Sequence, residues 1–112
     1  MLQIFGSLKN YETQKALRWF KERKIAHQFI DLRERGLSPG ELRDISRFCS
    51  LNELIDVASP EYKKRGLAYM EYDPVNLILE VPLLLREPLV RTKTGVTVGF
   101  KPAIWQEWFN TT

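Results

Sequence analysis

Apolar and polar positions alternate in three different ways along this chain. Leu2 to Phe5 is a short apolar run stopped by Gly6 and Ser7, the pattern of a buried strand that ends in a loop. From Asn10 the period lengthens: Ala16, Leu17 and Phe20 recur at three-to-four-residue spacing, one buried face of a helix. Asn10 can cap that helix, Glu12 and Thr13 lie in its first turn, and Lys21, Arg23 and Lys24 gather where the negative end of the helix dipole falls. The helix is therefore predicted from Asn10 to about Lys24. His27 to Leu32 predicts a second strand, and Gly36 is the natural turning point of the loop after it. The opening reads β-α-β, a unit that sets two parallel strands side by side under a helix and turns the first loop toward the ligand-binding edge of the sheet.

Residues 38 to 85 read as four short helices. Ser38-Pro-Gly-Glu41 and Ser50-Leu-Asn-Glu53 are capping-box strings, and Ser59-Pro60 and Asp73-Pro74 are cap-then-proline starts. After Pro88 the period shortens again. Leu89-Val90 and Val96-Thr-Val98 flank a Lys93-Thr-Gly95 turn, a predicted antiparallel hairpin in which glycine would supply the positive φ. Lys101-Pro102 opens a terminal helix with Ile104, Trp105, Trp108 and Phe109 as its apolar stripe.

Composition narrows the function classes. The chain has 112 residues, the size of one domain, so residues 1–112 are read as a single unit with a helical insert at about 38–85. Hydrophobic residues at 44% and charged residues at 28% are those of a folded globular domain. The net charge of +3 comes from seventeen basic and fourteen acidic residues that interleave, which argues against direct nucleic-acid binding. Val75 to Leu85 is the longest apolar stretch, but Asn76, Glu80 and Pro82 interrupt it and it is too short to span a bilayer. No secretory pattern opens the sequence, so a cytoplasmic location is the expectation. One cysteine, Cys49, and one histidine, His27, cannot build a disulfide or a structural zinc site. Cys49 reads as a buried structural thiol and His27 as a polar residue at a strand end.

Three strings narrow the picture further: Gly6-Ser-Leu-Lys-Asn10-Tyr-Glu-Thr13-Gln-Lys-Ala-Leu17, Leu83-Leu-Leu-Arg86-Glu-Pro88-Leu-Val90 and Val98-Gly-Phe-Lys-Pro102. Together with the element order they resemble the arsenate reductase (ArsC) and Spx-like family over nearly the whole chain. The resemblance implies a thioredoxin-like α/β fold: β-α-β, a helical insert, an antiparallel hairpin and a C-terminal helix. It also implies a cis peptide at Pro88, and a reactive cysteine directly after Asn10, where the helix start would lower a thiol's pKa. Tyr11 stands at that position, and a phenol forms no mixed disulfide. The family arginine before the hairpin proline, whose planar fork suits an oxyanion, is matched here by Glu87. A second family arginine, in the insert, aligns with Ala58. Arg86 lies one residue early and faces the other way on an extended segment, which leaves Arg91 as the arginine that could approach instead.

The candidate pocket is thus Asn10, Tyr11, Thr13, Arg86, Glu87, Pro88 and Arg91, with no catalytic residue and no metal ligand assigned. The leading expectation is a redox-silent binding or regulatory module that needs no cofactor. The alternative is an arsenate reductase-like oxidoreductase working from a non-standard site, either a glutathione-linked reductase that presents substrate through Pro88 and Thr13 or a thiol enzyme that has recruited Cys49. Spx-type relatives bind RNA polymerase, so the resemblance adds a protein partner from the transcription machinery as a further expectation.

Overall fold

The computed structural model describes residues 2–110. Strand β1 (Leu2–Gly6) is central because its side chains serve both faces of the sheet: Ile4 and Phe5 are both fully buried, in two different cores. It pairs parallel with β2 (His27–Asp31), Leu2 opposite His27 and Gly6 opposite Asp31. On its other side it pairs antiparallel with β3 (Leu89–Arg91), Ile4 opposite Val90. The hairpin partner β4 (Val96–Val98) completes the order β2-β1-β3-β4.

One face of the sheet is covered by α1 (Tyr11–Glu22) and α6 (Pro102–Trp108). Ala16 and Phe20 from α1 and Trp105 from α6 pack there with Leu2, Ile4 and Val90, and the Phe20 and Trp105 rings lie 4.9 Å apart. The other face, with Phe5, Ile30 and Leu89, carries the insert: α2 (Pro39–Ile45), α3 (Leu51–Leu54), α4 (Pro60–Lys64) and α5 (Pro74–Glu80). Four α-helices are what the capping strings predict, and Ser38, Ser50, Ser59 and Asp73 each accept a first-turn backbone N–H. Two 3-10 turns, Leu67–Tyr69 and Pro82–Leu84, lie between them. Among the described residues no helix is long and apolar enough to cross a membrane.

Three local expectations need correction. Helix α1 stops at Glu22 rather than near Lys24, because Lys24 takes a left-handed conformation (φ 57°) and the Ile25 N–H turns back to the Phe20 carbonyl. Gly95 has no positive φ. Its turn is held by the Thr92 hydroxyl, which accepts the N–H groups of Thr94 and Gly95 at 3.3 and 3.1 Å. A bare Cα is needed there for closeness: a Cβ on Gly95 would lie 3.0 Å from the Trp108 indole. The apolar stripe of α6 buries only Trp105 completely, with Ile104 40% exposed. A helix this short meets the sheet with one side of about two turns.

Candidate functional site

The loop from β1 to α1 is shaped by Asn10, whose side chain accepts the Thr13 N–H at 2.9 Å while its own N–H reaches the Ser7 carbonyl. Tyr11 is the first residue of α1 and is 71% exposed. The Lys15 ammonium lies 4.3 Å from the centre of the Phe100 ring and 5.5 Å from that of Tyr11. Glu12 turns toward β4's end and accepts the Phe100 N–H at 3.2 Å.

Glu87 enters this loop from the opposite end of the chain. It precedes Pro88, and the Glu87–Pro88 peptide is cis, as the resemblance implies. Its carboxylate accepts the backbone N–H of Ser7, the Ser7 hydroxyl at 3.0 and 3.2 Å and the Thr13 hydroxyl at 3.1 Å. Thr13 is fully buried and Ser7 nearly so. Burial pushes the Glu87 carboxyl above its ordinary range; the bonds from Ser7 and Thr13 oppose that, and the nearby Asp31 charge adds to it. Gly6 is required at the corner, since a Cβ there would come within 2.7 Å of the Thr13 methyl and 3.0 Å of Glu87 Oε1.

Asn10 and Glu87 share a cleft of about 350 Å³ with Asp56, Ala58, Ser59 and Leu85. Ala58 therefore does face the cleft that the resemblance assigns it to. The two arginines do not. Arg86 points into the insert, where Nε donates to the Glu53 carbonyl at 3.1 Å and Nη2 to that of Ile55 at 3.2 Å. Arg91 lies at the far end of β3, opposite Gln3 rather than Gly6. Its guanidinium donates to Gln3 at 2.9 Å and to Asp44 of α2 at 2.7 Å, so it ties the insert to the sheet and cannot serve the cleft. The Arg91 pair and that of Arg47 hold the Asp44 carboxyl below its ordinary value.

Cys49 is half-buried rather than buried, with Sγ 3.6 Å from the Ile45 carbonyl; burial first and Glu53 second push its thiol up. His27 closes on its own strand end, Nδ1 2.8 Å from the Ile25 carbonyl. Among the described residues no group of three His, Cys, Asp or Glu side chains could hold a metal ion. Ser7 and Asp31 are the site residues that sequence reasoning missed. Ser7 directly follows the strand-ending Gly6, the one local signal for it; Asp31 is placed by its pairing opposite Gly6.

One side chain of the chain itself, Glu87, thus takes the Ser7 N–H and the Ser7 and Thr13 hydroxyls at the mouth of the first loop. The ArsC family model matches residues 5–108. No curated protein matches the chain. Among solved structures, a YFFB (PA3664) protein superposes with a TM-score of 0.84 at 22% identity, covering 96% of this chain and 97% of its own. An ArsC family related protein from Bacteroides fragilis gives 0.82 at 22% identity over 95% and 97% of the two chains. An arsenate reductase from Vibrio cholerae gives 0.78 at 20% identity over 95% of each. These likenesses are of fold, thioredoxin-like α/β, and with the family match over nearly its whole length the chain belongs to the ArsC family.

Proposed function

We propose that this chain is an ArsC-family protein without the catalytic cysteine, a redox-silent binding or regulatory module on the family's scaffold. The observation that carries the reading is the Glu87 carboxylate, bound to Ser7 and Thr13 where an incoming oxyanion would need free donors. A second anion brought there meets like charge. Tyr11 at the first helical position supports the same reading, since a phenol offers no thiolate. Of the alternatives, a thiol enzyme that has recruited Cys49 must work with a thiol whose pKa is raised rather than lowered, and a glutathione-linked reductase presenting substrate through Pro88 and Thr13 must work with Thr13 already donating to Glu87. A partner of such a module would be a protein.

Arsenate and disulfide reduction, with glutathione as the thiol donor, tests the reading on wild type and Cys49→Ser. The expected outcome is no turnover above the protein-free rate for either. Turnover that disappears in Cys49→Ser would overturn it.

A further inference from the structure

Among the described residues strand β4 ends the sheet, and no strand pairs with its outer edge. Thr97 faces Val90 in the hairpin, and the hydrogen bonds from Thr92 to Gly95 and from Gly99 to Pro88 set the alternation of the ladder. In that alternation the N–H and C=O of Thr97 turn toward β3, and those of Val96 and Val98 turn away from it. Among the described residues no other group takes them up.

This edge does not lie open to bulk water on a flat surface. It runs along a groove of about 400 Å³ lined by Phe48, Cys49, Glu53, Arg86, Lys101 and Ile104 together with β4 itself, whose Val96 and Val98 are half-buried. The Thr97 side chain belongs to the opposite face, where it bonds Trp105, so Thr97 reaches the groove through its backbone. Exposed Phe48 and Ile104 are 43% and 40% accessible. A groove floored by outward backbone donors and acceptors and walled by apolar side chains is complementary to an extended strand.

Charge selects among strands. Lys101 lines the groove and Lys93 lies in the turn before β4, beside a separate hollow with Arg91 and Asp44; both are exposed, and neither has an ion pair among the described residues. A second copy added antiparallel about Thr97 would bring Lys93 of one chain toward Lys101 of the other, and each pair would repel. Glu53 is the acidic group of the groove and Arg86 lies beside it, already bonded to two carbonyls. We propose that the β4 edge is a docking site for an extended acidic peptide segment of a partner protein, its backbone pairing with Val96 and Val98, its apolar side chains entering beside Phe48 and its carboxylates meeting Lys101 and Lys93. The site is separate from the Glu87 cleft and holds whether or not thiol chemistry occurs there.

The test uses a short capped peptide alternating glutamate and valine, titrated into the isotope-labelled chain. Expected are a Kd below about 1 mM, amide shifts centred on Val96 and Val98, and slowed hydrogen exchange at those two amides. The same peptide N-methylated at the amides that face β4 should bind about tenfold more weakly or worse, a result that needs no change in the protein. A lysine-valine peptide should lose at least as much, and Val98→Pro should abolish binding while leaving the Thr97 ladder intact. Equal binding by the N-methylated peptide, no binding at about 1 mM, shifts confined to the Glu87 cleft, or sedimentation of the chain as a dimer through β4 would each overturn the proposal.

Discussion

Replacing Thr97 with valine removes one hydrogen-bond acceptor and keeps the shape of the residue. Thr97 is 6% exposed, and its hydroxyl accepts the indole N–H of Trp105 at 2.7 Å; Trp105 is wholly buried. Valine has the same branched outline and suits a strand equally well, so β4 itself loses nothing. The indole N–H, however, is left with no acceptor in a site closed to water, at a cost of about 1–3 kcal/mol. The added methyl returns up to about 0.8 kcal/mol of apolar burial. The net loss is about 0.2–2.2 kcal/mol once that gain is subtracted. For a domain of this size each kilocalorie moves Tm by about 4 °C, so Tm should fall by about 1–9 °C. Urea unfolding followed by tryptophan fluorescence measures the loss, with an unchanged m-value. A second background makes the test specific: in Trp105→Phe, where there is no indole N–H to orphan, Thr97→Val should cost close to nothing. Equal losses in both backgrounds, or none in either, would refute the reasoning.

Two further outcomes follow from the Glu87 site. Its folded pKa is raised, so the native chain keeps this proton to higher pH than the unfolded chain does, and the Glu87 contribution to stability should fall as pH rises from about 4.5 through the raised value, then level off. Glu87→Gln removes that ionisation while leaving the opposite contributions of Glu41 and Asp44 in place, so the stability of wild type minus that of Glu87→Gln should decline with pH over this window; a constant difference would count against a buried, elevated carboxyl. Gly6→Ala forces a Cβ to within 2.7 Å of the Thr13 methyl, on a side chain with no exposed surface to retreat into, and should cost about 1–3 kcal/mol in urea unfolding. A change within about 0.5 kcal/mol would mean that Thr13 and Glu87 rearrange freely.

What could be read from the sequence was local. Asn10, Ser38, Ser50, Ser59 and Asp73 cap the helices they were expected to cap, because a cap bonds N–H groups two or three residues away and needs no knowledge of the rest of the chain. The hairpin was legible for the same reason, from alternation on both sides of a short turn. The destinations of long side chains were not. Arg91 and Asp44 are 47 residues apart, and Glu87 and Ser7 are 80 apart; which of them meet depends on how the insert is laid over the sheet. The half-exposure of Cys49 and of the α6 stripe is likewise a matter of where one element stops covering another, which periodicity does not encode. Gly95 shows a subtler limit: the glycine was recognisable, but its reason is a tryptophan thirteen positions on rather than its own φ.

The strand order β2-β1-β3-β4 also has a temporal side. During synthesis the first strand, helix and second strand emerge early and can associate at once, since their contacts are close in sequence. The opposite flank of β1 must then wait until residues 89–91 leave the ribosome, so for most of translation an apolar strand destined for the centre stands as an open border. The insert is made during that interval, since it lies between β2 and β3 in the chain. In this chain the stretch that walls the cleft is thus complete before β3 can close that border.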